Sequence, residues 1–261
     1  MVTADLHVHT TNSDGSMELD EVPTAAKRAG VDVVAITDHD RLHPDLDAPS
    51  AYREGVRLIH GIELRVDAGD QRIDLLGYGV EPTVELEREV ERIQANRIER
   101  GRAIIENVES HLGVDLGLEP REGLGRPHIA RATADATDMT YTEVFDELIG
   151  DDGPCYVARD VPSFETGREL LSGACALVGL AHPFRYPDPE AALELCAELD
   201  AVERFYPYGR EVDPMPVETA IDRFDLVATG GSDAHDDELG KAGLDTGDYD
   251  RFLAAAGLPN P

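Results

Sequence analysis

The chain opens with Ala4-Asp5-Leu6-His7-Val8-His9, followed by Thr10-Thr11-Asn12-Ser13-Asp14-Gly15. The apolar side chains of this stretch alternate with the histidines, which is the period of a β-strand with two faces. His7 and His9 therefore point the same way, roughly 7 Å apart along the strand. With the carboxylate of Asp14 in the next turn they suit a divalent metal. A pair of pocket histidines without metal is the alternative.

The length and the cysteines narrow the class of protein. A chain of 261 residues can form one α/β barrel or one domain with an insert. It has no apolar run long enough for a membrane span and no leader at its start, so we expect a soluble, unexported protein. Its three cysteines form no Cys-x-x-Cys motif, which argues against a disulfide framework or a thiolate zinc site and favours the cytoplasm.

The charge of the chain is extreme. Acidic residues number 54 against 23 basic ones, a net charge of −31, and Lys27 and Lys241 are the only lysines. Dispersed acids with almost no lysine predict adaptation to a salt-rich cytoplasm, because at about 1 M salt the Debye length is only ~3 Å and surface repulsion is screened. An acidic surface for a basic partner is the alternative. Neither hypothesis excludes a phosphate substrate, since arginines can line the site.

Strand and helix patterns alternate along most of the chain. Apolar runs typical of buried strands cover residues 31–36, 56–63, 73–78, 176–181, 201–206 and 226–230. Helical periods cover residues 18–29 and, with a much longer pattern, 83–111. This order predicts an α/β fold, a βα barrel over 1–81 and 156–261, with a helical insert at 82–155.

Metal-ligand residue types follow these strands at their ends. They are His7, His9, Asp14, His39, Glu63, Asp74, His182, Asp233 and His235. Imidazoles and carboxylates without a thiolate favour manganese, zinc or iron. The set exceeds the coordination shell of one ion, so we expect two or three divalent metals. Metals a few Å apart can bridge a hydroxide and clamp a phosphoryl group, which predicts hydrolysis.

With these motifs the sequence resembles the PHP (polymerase and histidinol phosphatase) family. The matching pieces are 5–10, 13–15, 36–40, 61–63, 181–183 and 231–235, and they span almost the whole chain. The segments Gly125-Arg126-Pro127-His128-Ile129-Ala130-Arg131 and Ala181-His182-Pro183-Phe184-Arg185-Tyr186 are similar to the branch that hydrolyses nucleoside 3′,5′-bisphosphates and trims short RNA from the 5′ end. The predicted insert falls where that branch carries one.

The resemblance implies a distorted, seven-stranded, TIM-like βα barrel with up to three metals. One ion would be held by His7, His9, Glu63 and Asp233. Glu63 and His182 would bridge toward a second, and a third would be held by Asp14, His39 and His235. Asp74 stands where the branch usually has a histidine, which puts the second metal in question.

The same resemblance suggests roles for further residues. Asp38, His39 and His182 are the candidate catalytic residues, although Asp38 could equally orient ligands or bond local backbone. Arg126, His128 and Arg185 are candidates for gripping substrate phosphates, because guanidinium forks match phosphate geometry.

Several of these side chains have a structural alternative. Arg126 and His128 could instead form a motif that starts a helix. Tyr186 and Tyr206 could stack on a base or simply pack. We expect His43, His60 and His111 to be surface or packing histidines, and Glu203 to lie behind the metal ligands.

The predicted function is a metal-dependent phosphoesterase in which a metal-bridging hydroxide attacks phosphorus. Its substrate would be a nucleoside 3′,5′-bisphosphate or a 5′-phosphorylated oligoribonucleotide, degraded from 5′ to 3′. A histidinol-phosphate phosphatase and a non-catalytic PHP metal-binding module are the alternatives. The sequence indicates no membrane association and no protein partner.

Overall fold

A computed structural model describes residues 1–121, 124–150 and 153–258. The chain divides into two compact units, of which the first combines Met1–Arg88 with Pro162–Pro261 and the second is Glu89–Val161. The second unit overlaps the predicted insert, residues 82–155, without sharing its bounds. The nine predicted metal ligands all belong to the first unit.

In its described residues the first unit contains one mixed sheet of eight strands, seven of them in a continuous path and the eighth, β3, paired to β4. In chain order the strands are β1 (Ala4–Val8), β2 (Val33–Ile36), β3 (Ser50–Arg53), β4 (Val56–Asp67), β5 (Arg72–Tyr78), β6 (Leu177–Leu180), β7 (Ala201–Phe205) and β8 (Val227–Gly230). The path runs β1-β2-β4-β5-β6-β7-β8. The sequence did not predict β3.

Strand direction separates β5 from the rest of the path. The pairs β1–β2, β2–β4, β6–β7 and β7–β8 are parallel, whereas β5 is antiparallel to both β4 and β6. Only residues 68–71 separate β4 from β5, and so short a turn can join only antiparallel strands, since a parallel pair needs a crossover of a dozen residues or more. The start of β5 therefore lies at the edge where the parallel strands end.

The predicted α/β class is confirmed as a curled, mixed sheet. A complete TIM-like barrel is not confirmed. In the described residues, β1 meets the segment after β8 through an isolated bridge between Val8 and Ala234, not through a ladder. The amide of His9 donates to the Ala234 carbonyl at 3.0 Å.

The helices of the described residues are α1 (Val22–Ala29), α2 (Val84–Leu112), α3 (Arg126–Ala136), α4 (Tyr141–Val144), α5 (Phe164–Ala174), α6 (Pro189–Glu194), α7 (Met215–Phe224) and α8 (Thr246–Ala256). A π-helical turn, Phe145–Ile149, continues α4, and 3-10 turns form at Pro183–Arg185 and Leu195–Glu198. None of the described helices has the length and apolarity that crossing a bilayer requires.

The apolar run of β2 is buried on both faces. Val33 and Ala35 pack into one hydrophobic cluster with Tyr78 and Phe252, while Ile36 packs into a second cluster on the opposite face. A strand that is buried on both faces has a continuous run of apolar residues, and this is why the run at 31–36 predicts a buried strand.

A buried carboxylate ties the start of the sheet to its end. Asp5 is fully buried and accepts hydrogen bonds from the amide (2.8 Å) and hydroxyl (2.6 Å) of Ser232 and from the amide of Gly240 (2.8 Å). Burial raises the pKa of Asp5. Beside it, a Cβ on Gly231 would lie 2.3 Å from the amide nitrogen of His7, so this close approach requires glycine. Together these contacts hold β1 against the segment that follows β8.

Candidate metal centre

In the part of the chain that the structure describes, three groups of side chains bring potential metal-ligand atoms within 4.8 Å of one another. Cluster A is His7, His9, Glu63 and Asp233; cluster B is His9, Asp14, His39 and His235; cluster C is Glu63, Asp74 and His182. All nine residues that the sequence singled out as ligands are members. His9 belongs to A and B, and Glu63 to A and C, so the three clusters form one continuous centre.

The sheet explains why residues so distant in sequence meet. Most of the clustered side chains lie at or just beyond the carboxyl ends of the parallel strands β1, β2, β6 and β8. Glu63 lies within β4, at the level where β2 has ended, and an isolated bridge pairs it with His39. Asp74 joins the same edge because β5 runs in the opposite direction.

In cluster A two imidazoles face two carboxylates. Glu63 Oε2 lies 3.4 Å from Nε2 of His7 and 3.4 Å from Nε2 of His9. Asp233 Oδ1 lies 3.0 Å from Nε2 of His9 and 3.5 Å from Nε2 of His7. The two histidines and Glu63 are fully buried. This donor set, two imidazole nitrogens and two carboxylate oxygens, is suited to a divalent transition metal.

Several buried atoms of the centre lack a hydrogen-bond partner. They are His7 Nε2, both ring nitrogens of His9, Glu63 Oε2 and His182 Nδ1. Leaving a buried polar atom unsatisfied costs about 1–3 kcal/mol, so a fold that gathers several of them in one place is expected to satisfy them with something else. Divalent cations accept lone pairs from both atom types. The residues of cluster A therefore fit a metal.

The charges of the centre stabilise one another. Burial opposes ionisation of Glu63, but His39 and His7 hold its pKa well below the usual range. Burial favours the neutral ring of His39, yet Glu63 and then Asp14 outweigh it and raise the pKa of His39 to about 9. The Glu63 carboxylate is thus ionised at neutral pH, as metal ligation by a carboxylate requires.

Cluster B is the more open part of the centre. The rings of His9 and His235 stack with centroids 4.2 Å apart, and the His39 ring lies 4.5 Å from that of His9. Asp14 Oδ1 is 3.3 Å from Nε2 of His235, and both of these side chains are more than one-third exposed. This is where solvent or a substrate can reach the ligands.

Cluster C contains a cation supplied by the chain. Arg65 donates from Nε and from Nη2 to the two oxygens of Asp74, the second bond measuring 2.8 Å. His182 Nε2 lies 2.8 Å from Glu63 Oε1 and 3.8 Å from Asp74 Oδ2. Sequence reasoning missed Arg65. The available signal was its i, i+2 spacing from Glu63, which places both side chains on one face of β4.

Glu203 lies behind the ligands, as predicted from the sequence. Its Oε1 is 3.0 Å from Nδ1 of His7, and its Oε2 accepts the backbone amide of His182 at 2.7 Å. His182 has a φ of 26°, a left-handed conformation that non-glycine residues adopt rarely. The bond from Glu203 helps to hold the backbone there.

The Asp38 carboxylate is fully engaged by the loop after β1. It accepts bonds from the amide (2.7 Å) and hydroxyl (2.8 Å) of Thr10, from Asn12 Nδ2 (3.2 Å) and from Ser13 Oγ (2.7 Å). Asp38 belongs to none of the three clusters. Of the roles considered for it, these contacts favour orienting the loop that carries Asp14.

Arg185 and Tyr206 contact the centre from its rim. Arg185 Nη1 donates to Asp233 Oδ2 and to Tyr206 Oη, each at 2.9 Å, and Tyr206 Oη donates to Asp233 Oδ2 at 2.7 Å. Tyr186 is buried and donates to the carbonyl of Ala181, so it packs. Arg185 is half exposed, which leaves its remaining N–H groups accessible.

Arg126 and His128 lie in the second unit, at the start of α3. His128 Nδ1 accepts the Gly125 amide at 3.1 Å, which caps the helix. Arg126 donates to the carbonyl of Ile149 at 3.2 Å, and its guanidinium lies 5.5 Å from the ring centroid of Tyr156. Arg100 approaches the same ring, at 5.7 Å. His128 therefore has a structural task, while Arg126 belongs to a cationic and aromatic group.

The histidines expected to be structural lie outside the three clusters. His60 is buried with neither ring nitrogen hydrogen-bonded, and burial lowers its pKa to about 4. His43 is buried and accepts the amide of Asp45. His111 is exposed near the end of α2.

Comparison with known proteins assigns the class. The PHP domain family model matches residues 5–150. The chain is 28% identical to a 3′,5′-nucleoside bisphosphate phosphatase of Chromobacterium violaceum, over 95% of this chain and 91% of that protein. It is 29% identical to a phosphoribosyl 1,2-cyclic phosphate 1,2-diphosphodiesterase of Eggerthella lenta, over 88% of this chain and 93% of that protein. It is 26% identical to a 5′-3′ exoribonuclease of Haemophilus influenzae, over 70% of this chain and 69% of that protein.

A solved structure from Bifidobacterium adolescentis superposes with a TM-score of 0.72 and covers 97% of this chain and 96% of that one. At 22% identity this likeness is one of fold alone. Fold and site together define a metal-dependent hydrolase. The chain belongs to the PHP domain family. The predicted family is thereby confirmed, and so is the predicted enzyme class, a phosphoric ester hydrolase.

Proposed function

We propose that this enzyme hydrolyses nucleotide phosphate esters: nucleoside 3′,5′-bisphosphates, 5′-phosphorylated oligoribonucleotides from the 5′ end, or both. The observation that carries the proposal is the continuous centre formed by clusters A, B and C, with its unsatisfied buried nitrogen and oxygen atoms. The names of the Chromobacterium and Haemophilus relatives support the nucleotide as substrate.

The clusters define which residues would hold metal. In cluster A these are His7, His9, Glu63 and Asp233, and cluster B adds Asp14, His39 and His235. Manganese, zinc and iron all accept such donors. When bound, divalent ions supply an activated water molecule and neutralise charge on phosphoryl oxygens.

The protein side of the mechanism begins with orientation. Glu203 holds the His7 ring through Nδ1, which leaves Nε2 directed at Glu63 and Asp233. Asp38 holds the loop that positions Asp14. His39 is partly exposed between the buried Glu63 and the exposed Asp14, which places its imidazole within reach of a substrate and a reacting proton.

Phosphate recognition is assigned to arginines. Arg185 keeps Asp233 in place through Nη1 and can offer its other N–H groups to a phosphoryl oxygen. Arg126, with Arg100 and the ring of Tyr156, forms a group in the second unit that suits a phosphate next to a stacked base. This matters because the overall charge of −31 would otherwise repel a nucleotide.

A second candidate substrate is a cyclic phosphodiester of a sugar phosphate, favoured by the identity to the Eggerthella enzyme over 88% of this chain. Histidinol phosphate remains an alternative from the sequence. A non-catalytic module is disfavoured because every ligand position is filled by a residue able to bind metal.

One assay separates these substrates. Purified protein in high salt with manganese is offered adenosine 3′,5′-bisphosphate, a 5′-phosphorylated oligoribonucleotide, phosphoribosyl 1,2-cyclic phosphate and histidinol phosphate. We expect product from the first two. Turnover of only the cyclic ester or only histidinol phosphate would replace the proposed substrate. Bound metal with no turnover of any of them would support the non-catalytic module.

A further inference from the structure

Arg65 and Asp74 are directly opposite each other in the β4–β5 ladder. Glu63 lies two residues before Arg65, so the three side chains share one face of the sheet. The Asp74 side chain is 2% exposed and that of Arg65 is 35% exposed. The Asp74 carboxylate of this ion pair is therefore buried within cluster C, and the pair differs from one between two exposed side chains.

The Arg65 guanidinium occupies one lone-pair site on each oxygen of the Asp74 carboxylate and so competes with a metal for that carboxylate. Two parallel N–H···O bonds from one guanidinium, from Nε and Nη2, engage both oxygens. The third member of the cluster, His182, directs Nε2 at Glu63 Oε1. Cluster C also contains buried atoms without a hydrogen bond, His182 Nδ1 and Glu63 Oε2, so it is the guanidinium at Asp74 that disfavours a metal there.

The net charge of cluster C points the same way. The carboxylates of Glu63 and Asp74 carry two negative charges in a buried place, and burying charge without compensation is costly. Arg65 supplies a positive charge that cannot dissociate. A divalent ion bound to Asp74 would lie beside this guanidinium and would be repelled by it.

We propose that the Arg65 guanidinium is the resident cation of cluster C, so that this enzyme takes up two divalent ions per chain, in clusters A and B, and not three. The proposal rests on the proposed function, because it presumes a metal-loaded centre. Arg65 is a positioning and charge-supplying residue, and Asp74 is its partner and not a metal ligand.

The test counts metal and needs no substrate. The protein is stripped of metal with a chelator, reloaded with manganese and freed of excess metal by gel filtration. The number of manganese ions per chain is then measured by inductively coupled plasma mass spectrometry. Wild type is expected to hold two manganese ions per chain. Arg65→Met releases Asp74 and is expected to hold three. The double variant Arg65→Met/Asp74→Asn lacks both partners and is expected to return to two.

A matched control and a milder variant guard against misfolding. Arg204 is likewise about one-third exposed and ion-paired, to Glu218 outside the centre, so Arg204→Met is expected to hold two ions. Arg65→Lys keeps the positive charge and is also expected to hold two manganese ions. This variant still tests the inference if Arg65→Met fails to fold.

The outcomes separate this inference from the proposed function. Three ions in wild type would overturn the inference while leaving a metal-dependent enzyme. Two ions in a folded Arg65→Met would also overturn it, because the guanidinium would not be what excludes the third ion. Three ions in Arg65→Lys would overturn it as well, because a positive charge at residue 65 would not be enough to exclude the third ion. A folded wild type that binds no metal would instead overturn the proposed function.

Discussion

Oε1 of Glu203 lies 3.0 Å from Nδ1 of His7, and both side chains are completely buried. The other oxygen of the same carboxylate accepts the backbone amide of His182. One side chain on β7 thus sets the ring of a histidine from β1 and the backbone of a histidine after β6. Partners of this kind commonly change metal affinity by roughly 10- to 100-fold when removed.

Glu203→Gln is expected to weaken manganese binding by roughly 10- to 100-fold, because the amide can no longer stabilise the Nδ1–H tautomer of His7 as a carboxylate does. Isothermal titration of the metal-free protein measures the change. Glu218→Gln, which removes a carboxylate from the same unit but outside the centre, is the control and should bind as wild type does. Unchanged affinity in Glu203→Gln would show that His7 needs no partner.

His39→Ala is expected to lower kcat by about 100-fold or more, the size seen when a group acting at the reacting atoms is removed. The imidazole joins clusters A and B through contacts with Glu63 and Asp14. Steady-state kinetics on the best substrate at saturating manganese provide the measurement. The exposed His111→Gln is the control. Turnover within threefold of wild type would remove His39 from the mechanism.

Arg126→Ala is expected to raise KM by roughly 10- to 100-fold with little change in kcat, because a charge-assisted hydrogen bond contributes about 1.5–3 kcal/mol. The control is Arg102→Ala, an exposed arginine of the same unit that pairs with Glu99. If KM stays constant for every substrate, the contacts of Arg126 with Ile149 and Tyr156 serve only the local fold.

His60 should make the protein sensitive to acid. Burial lowers the pKa of His60 to about 4, while an unfolded histidine titrates near 6.5. Between these values the unfolded chain binds a proton that the folded chain does not, so stability is full above about pH 6.5 and falls as the pH drops toward 4. The loss amounts to up to roughly 3 kcal/mol.

His60→Leu is expected to flatten the pH dependence of the unfolding free energy between pH 7 and 4.5. Denaturant unfolding at fixed salt, with chelator present, measures the difference from wild type at each pH. His111→Gln should keep the wild-type slope. A parallel pair of curves for His60→Leu and wild type would mean that the proton binds His60 in the folded state after all.

The charge of −31 predicts that salt stabilises the fold. Raising KCl from 0.1 M to 1 M shortens the Debye length from about 10 Å to about 3 Å, which removes most repulsion between dispersed surface carboxylates. The thermal unfolding midpoint should therefore rise over this range, as calorimetry can measure. A midpoint that falls with KCl would contradict this prediction, because repulsion between the surface carboxylates would then not limit the stability of the fold.

Much of the centre could be predicted because its residues carry recognisable chemistry. His7 and His9 alternate with apolar residues, and His39, His182 and Asp233 follow apolar runs, so strand periodicity alone placed them at strand ends. Residue type then indicated a metal. The long helix α2 could also be predicted from the sequence, since its apolar positions repeat over many turns.

The sequence by itself determined the α/β class, the residue types of the candidate metal centre and the strands that carry them, because these depend on residue chemistry and local periodicity. Only the tertiary structure decided the pairing of β5 with β6, the opposition of Arg65 and Asp74, and the reach of Glu203 to His7. Those features depend on which strands pair and in which register. His7 and Glu203 are 196 residues apart in the chain, and the periodicity within one strand does not encode which strand lies beside it.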